Sequence, residues 1–413
     1  MKKFLTLLSV IFFILLTGCS NNSIEDNLNG IPLQKLSSKE TGIDFSNTIT
    51  PNLETKENLF DYDYFYNGSG VGIADINNDG LKDVFFTSNQ TRNKLYLNKG
   101  ELKFEDITEK SNINQNKGWS SGVTFADVNN DGWLDIYISQ GGPFNQTKRK
   151  NTLLINNKDL TFTENASLYG LDDQGISTQS AFFDFDKDGD LDCVVMNENE
   201  FYGYDPLTFF KNFENKSLLR RNSSQLYEQI DGKFVNITEK AGLLSPTFGL
   251  GLCISDINND GWQDIYIAND YYVKDAMYIN NQDGTFSNKI KESTKQISFY
   301  GMGVDIEDIN GDNLSDIFVL DMASSDHVRS KTLMASMNTS NFDLITNKLD
   351  QHYQYMFNSM QLNMGNNKYH NISHQLNIAK TDWSWAGLIF DLSLIHISEP
   401  TRQEAISYAV FCL

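Results

Sequence analysis

Nine residues, Asp75-Ile-Asn77-Asn-Asp79-Gly80-Leu81-Lys-Asp83, place side-chain oxygens at positions 1, 3, 5 and 9 around one glycine. The arrangement returns as Asp127-Val-Asn129-Asn-Asp131-Gly-Trp133-Leu-Asp135, Asp184-Phe-Asp186-Lys-Asp188-Gly-Asp-Leu191-Asp192, Asp256-Ile-Asn258-Asn-Asp260-Gly-Trp262-Gln-Asp264 and Asp308-Ile-Asn310-Gly-Asp312-Asn-Leu314-Ser-Asp316. A backbone carbonyl can join the four side chains, from Leu81, Trp133, Leu191, Trp262 or Leu314. Hard oxygen donors at this density suit Ca²⁺, whereas zinc and copper favour His and Cys. Without a cation, each close carboxylate pair would repel by about 4 kcal/mol at a surface-like dielectric. Five ions at +2 each would take the formal net charge from -21 to -11. The acidity of the chain is thereby read as a metal device, with about one Ca²⁺ per loop.

An EF-hand is excluded. It needs a bidentate Glu at position 12 with a helix to follow, and position 12 here is Phe86, Ile138, Val195, Ile267 or Val319. Polar turns without metal are the simpler alternative, strongest for the fifth copy, where Gly311 and Asn313 are displaced from the common pattern. No catalytic constellation emerges, and the chain is read as a non-enzyme. His370 and His374 lack the Glu of a zinc-protease helix. There is no phosphate loop and no nucleophile elbow, and the paired acids a glycosidase would need are claimed by the loops.

The elements that hold the loops are strands. Copies start 52, 57, 72 and 52 residues apart, which is blade spacing and too long for a coil of a β-helix. Val71-Gly-Ile73 and Val123-Thr-Phe125 lead into the first two loops; Val84-Phe-Phe86, Ile136-Tyr-Ile138, Cys193-Val-Val195, Ile265-Tyr-Ile267 and Ile317-Phe-Val319 lead out. Such β-branched and aromatic runs between turn residues predict buried strands. A later hairpin follows each loop, as in Leu95-Tyr-Leu-Asn98 with Phe104. Two strands plus a hairpin make a four-stranded antiparallel sheet, and radial repetition of such sheets makes an all-β propeller. Insertions at 202–224 and 321–361 widen the spacing, and the second, rich in Met, is expected to carry some helix. Cys193 and Cys253 lie in apolar runs and are expected to be free buried thiols.

The ends set the compartment. Residues 1–19 combine Lys2 and Lys3, an apolar run too short to span a bilayer, and Leu16-Thr-Gly-Cys19. This resembles the lipobox of bacterial lipoproteins and implies lipidation at Cys19, with residues 20–38 as a flexible tether. Residues 39–391 are the repeat region. Residues 392–413, beginning Leu392-Ser-Leu-Ile-His-Ile-Ser-Glu-Pro-Thr-Arg402, resemble a sequencing adapter read in frame and are expected to be an artefact that interrupts a further loop at Asp391.

At these residues the chain resembles the FG-GAP/VCBS repeats of integrin α-like propellers. More narrowly it is similar to the CRTAC-type lipoproteins of Bacteroidota, through Phe65-Tyr-Asn-Gly-Ser-Gly-Val71, Gly118-Trp119-Ser, Tyr355-Met-Phe-Asn358 and Thr381-Asp-Trp383-Ser-Trp385. That resemblance implies calcium in the loops and a propeller of seven blades when complete.

The net charge of -21 argues against nucleic acid, whose phosphates demand Lys and Arg. The expected function is an outer-membrane, lipid-anchored module, on the cell surface or the periplasmic side, that binds a glycan or protein ligand. The alternatives are a non-catalytic part of a polysaccharide-degrading enzyme or a structural subunit of an uptake complex. Trp119, Tyr300, Trp383 and Trp385 are candidate ligand-face aromatics, against the competing reading that they pack between blades. Tyr62, Tyr64 and Tyr66 alternate as residues on one face of a strand would.

Overall fold

The computed structural model describes residues 35–113, 118–143, 148–332 and 339–389. The signal segment, Cys19 and everything from Phe390 onward, including Asp391 and the adapter-like tail, lie outside the described residues. The chain divides into two units, 1–41 and 42–413. In the first, a single helical turn, Ser38–Thr41, is capped by Glu40 Oε2 accepting from the Ser37 backbone N–H at 2.8 Å. Among the described residues no helix is long and apolar enough to cross a membrane.

Among its described residues the second unit is all-β in its framework: five antiparallel sheets of four strands, each following chain order, and one parallel pair, Ile297–Ser298 with Gln354–Tyr355. Their first strands are Val71–Ala74, Trp119–Ala126, Ser177–Phe183, Gly249–Ser255 and Val304–Glu307. In every sheet this strand pairs with the one that leaves the acidic loop, and a hairpin supplies strands three and four. These are the blades the repeat spacing predicts.

First strands of successive blades lie side by side. Thr124 Oγ1 donates to Ser180 O at 2.8 Å and Thr178 Oγ1 to Gly249 O at 2.9 Å, and Thr87 Oγ1, just after the second strand of blade 1, reaches Ser121 O at 2.9 Å. Glycine makes that approach feasible: a Cβ on Gly122 would sit 2.4 Å from Thr178 O, and one on Gly303 2.5 Å from Trp385 O.

The core lies between blades. Val123 and Phe125 of blade 2 pack on the Phe85–Leu95–Ile136 cluster shared with blade 1. Phe182 of blade 3 packs on blade 2, Ile254 of blade 4 on blade 3, and Val304 and Ile306 of blade 5 on blade 4. Ile389 continues the series on Phe318 and Leu320 of blade 5, with its N–H on Asp305 Oδ2 at 2.6 Å. The matching pair on blade 1, Val71 and Ile73, has no such cover; the two are 58% and 65% exposed.

Both insertions are helical in part. The second holds Arg329–Thr332, Thr339–Asp343 and a π-helical turn, Leu344–Lys348. The first holds Pro206–Asn212 and Lys216–Arg221, started by the side chains of Asp205 and Asn215. Asp205-Pro206, a cap followed by proline at the first helical position, was the available signal. The alternation of Tyr62, Tyr64 and Tyr66 does not mark a strand. Residues 58–67 coil through turns, with Asn58 Oδ1 accepting the Phe60 N–H at 2.8 Å and Phe65 N donating to Tyr62 O at 3.0 Å. Local side-chain capping overrides the period of two.

Candidate functional site

Each acidic loop joins strand one to strand two, so all five lie at the same end of their blades. Position 4 and position 6 both adopt the left-handed conformation: Asn78, Asn130, Lys187, Asn259 and Gly311 at position 4; Gly80, Gly132, Gly189, Gly261 and Asn313 at position 6. Asn and Gly tolerate this region best. The fifth copy exchanges the two types and keeps the backbone path, so its departure in sequence is not a departure in shape.

Side chains then turn inward. Asp75 Oδ1 accepts from Asp79 N at 3.2 Å and Oδ2 from Gly80 N at 2.8 Å. Asp127, Asp256 and Asp308 repeat both bonds. At position 3, Asn77, Asn129, Asp186, Asn258 and Asn310 accept from the N–H of position 5. At position 5, Asp79, Asp131, Asp188, Asp260 and Asp312 accept from the N–H of position 7. That last bond identifies position 7 of the third copy as Asp190. Leu191 is one residue further on and packs against the apolar cluster between blades 2 and 3, which corrects its assignment as a carbonyl donor.

The third loop gathers the most charge. Oxygens of Asp184, Asp186 and Asp188 lie within 4.8 Å of one another, and buried oxygens of Asp184 and Asp190 have no hydrogen-bond partner. Burial, then the neighbouring Asp188, pushes the carboxyls of Asp186 and Asp190 up. Three converging carboxylates, one of which carries an unpartnered oxygen on Asp184, are the donor set of a hard divalent ion, so the residues fit calcium.

Position 9 has a structural role that spacing did not reveal. Asp264 Oδ2 accepts from Ile257 N at 2.9 Å and Oδ1 from Asn280 N on the third strand at 2.7 Å. Asp83, Asp135, Asp192 and Asp316 do the same with Asn98, Asn156, Gln229 and Asn363. Each is a buried latch between turn and hairpin. Asn156 and Asn280 extend the tie, donating to Ile76 O and Phe185 O in the preceding blade's loop at 2.9 and 2.8 Å. These asparagines were visible in the repeat as the last residue of a strand, without a hint of their reach.

The opposite end of the blades carries the insertions and most of the aromatics. Trp119 is 1% exposed, sealed by Tyr62 at 5.8 Å and Phe65 at 5.4 Å between ring centres. It packs between Tyr62 and Phe65, and it also borders the cavity that Trp385 lines. Tyr300 is half-buried against Phe299 and Tyr271. Trp383 is 42% exposed, and half-buried Trp385 lines an axial cavity of about 330 Å³. The four aromatics therefore do not form one surface. Both described cysteines are free, Cys193 buried and Cys253 half-buried. His352 is buried, bonded to Thr294 Oγ1 at 3.0 Å, and pushed down to about 4, chiefly by burial.

This end also buries acids. Burial pushes Asp270 and Asp275 up to about 7 and Asp321 up to about 6. Asp275 accepts from Asn269 N at 2.9 Å and Tyr266 Oη at 2.8 Å. A carboxyl whose folded pKa lies above its unfolded value near 3.9 stabilises fully below that value and loses the contribution as pH rises towards 7. Wild type should therefore lose stability relative to Asp275→Asn as pH rises from 5 to 7, by on the order of 1 kcal/mol per pH unit. Urea melts of both in EDTA measure this, and parallel pH profiles would contradict it.

Fold and loops together define a bladed β-protein with one oxygen-rich turn per blade. The FG-GAP-like repeat family matches it at residues 75–138 and 256–319. Cartilage acidic protein 1 of Xenopus tropicalis is 30% identical over 131 residues, 32% of this chain and 20% of that protein. The alignment thus spans about a fifth of the length of that relative. Among solved structures, an Agrocybe aegerita lectin that recognises non-reducing terminal N-acetylglucosamine aligns at 16% identity and a TM-score of 0.39, over 73% of this chain and 64% of its own. The V. cholerae biofilm matrix protein Bap1 aligns at 13% identity and a TM-score of 0.33, over 62% of this chain and 35% of its own.

Proposed function

We propose that the protein is a calcium-dependent binding module of the cell envelope, anchored through Cys19 at the outer membrane, whose ligand is a glycan or a protein. The observation that carries this is the fivefold recurrence of inward-turned oxygens at one end of the blades, with insertions and an axial cavity at the other. Calcium at the first end would hold neighbouring blades rigid, and rigid elements are what let loops at the far end present a fixed surface. The loop carboxylates serve architecture in this reading and no reaction is assigned to them. We further propose that another blade covers Val71 and Ile73, since their counterparts on blades 2 to 5 pack against a neighbouring sheet.

The test is retention of the intact protein on arrayed envelope and matrix glycans and on immobilised envelope proteins, in calcium and in EDTA. Retention lost in EDTA and restored by calcium is expected. Equal retention in both conditions, or none in either, would sink the proposal. In the native host, Cys19→Ala should move the protein from the membrane to the soluble fraction.

A further inference from the structure

Glu198 follows the second strand of blade 3, six residues after Asp192, and corresponds to Asp270 of blade 4. The two are treated differently. Asp270 accepts from Tyr64 Oη at 2.8 Å and from Tyr271 N at 2.7 Å. Glu198 is only 2% exposed, yet its carboxylate accepts one hydrogen bond, from Tyr62 Oη at 3.3 Å. A buried carboxyl held by one long hydrogen bond keeps acceptor capacity to spare. The nearby cation does not take it up. Arg149 Nη2 binds Glu200 Oε1 at 2.6 Å, and Glu200 is also held by Arg221 at 2.8 Å.

Glu198 faces the axial cavity of about 330 Å³, whose wall includes Tyr62, Trp119, Trp385, Thr178 and Gln179. Blades 1, 2, 4 and 5 keep glycine at the matching hub position, as Gly70, Gly122, Gly251 and Gly303; blade 3 alone of the five places a long polar side chain there, Gln179. A buried carboxylate, aromatic rings and neutral hydrogen-bonding groups around a void of this size are the chemistry that selects an organic ammonium group, through charge and cation–π attraction.

We propose that this axial cavity is a binding site for a small organic cation, an amino sugar or alkylammonium group seated against Glu198. It rests on the binding-module reading and assigns the chemistry of one ligand group. The net charge of -21 steers cations towards the molecule. Burial holds the Glu198 carboxyl well above its usual range, against the lowering by Tyr62 and Arg149 and with Asp270 and Asp63 adding to the rise. Seating a cation there favours the ionised form, so binding releases a proton.

Calorimetry of the full chain with glucosamine, N-acetylglucosamine and tetramethylammonium, in buffers of different ionisation enthalpy, tests the site. The two cations should bind and release up to one proton each, and the uncharged N-acetyl sugar should bind at least tenfold more weakly. Glu198→Gln should lose at least tenfold in affinity, and Trp385→Ala about twofold to thirtyfold, the range of a cation–π contact. Trp385→Ala keeps the test alive if Glu198→Gln fails to melt cooperatively. Equal affinity for the charged and N-acetylated sugars, undiminished binding by the folded variants, or no heat with either cation would overturn the proposal. Since these probes are small molecules, failure here leaves calcium-dependent retention on arrays standing as a separate result.

Discussion

Adding calcium to chelator-treated protein is expected to raise the melting temperature by on the order of 10–20 °C. Each occupied loop at a hundredfold excess of ion over Kd contributes about 2.7 kcal/mol to the folded state. Four to five loops act on one framework, because their blades share apolar clusters. Loop-to-loop contacts strengthen the coupling: Asn78 Nδ2 donates to Gly132 O at 3.0 Å, Asn259 Nδ2 to Asn313 O at 2.5 Å, and the Lys187 ammonium lies 4.4 Å from the centre of the Trp262 ring. Magnesium should reproduce little of the effect, since it resists full dehydration and demands a tighter octahedron. Asp188→Ala should remove about one loop's share of the gain, because the third loop loses one of three converging carboxylates. Differential scanning calorimetry in EDTA and in calcium measures all of this. Superimposed melts would remove the metal from the account.

What was legible in the chain follows from how local each signal is. A loop of nine residues carries its own chemistry, and the strands beside it carry theirs, so blade number and loop position could be read directly. The fifth loop was the partial exception: Gly311 and Asn313 look displaced in sequence, yet both positions take the left-handed conformation and the bond pattern is preserved. Long-range pairings were not legible. Tyr62 meets Glu198 at a separation of 136 residues, and Tyr64 meets Asp270 at 206. Nothing in Asp61-Tyr-Asp-Tyr-Phe-Tyr66 announces partners so distant. Trp119 shows the same limit. Its type and place suit a ligand face, but the turn at 58–67 folds over it. Helix starts at Asp205 and Asn215 were local and could have been found.

The latch at position 9 allows architecture to be separated from the proposed metal affinity in a single comparison. Asp264→Ala is expected to cost about 3 kcal/mol in EDTA, where no ion contributes, because two buried N–H groups, those of Ile257 and Asn280, lose their acceptor. Asp260→Ala in the same loop removes the exposed position 5 side chain. It should cost under about 1 kcal/mol in EDTA while abolishing that loop's response to calcium. Burial pushes the Asp264 carboxyl up to about 7, against the pull of its two N–H donors; Asp264→Asn keeps one acceptor oxygen for two N–H groups and sets its NH2 against the other, so it should recover at most about half of the loss in EDTA and little of the calcium response. Urea melts of the three variants with and without calcium measure the contrast. If Asp260→Ala destabilises the metal-free protein as strongly as Asp264→Ala, the latch is not a distinct function, and position 9 is one more ligand in a loop whose stability comes from the turn as a whole.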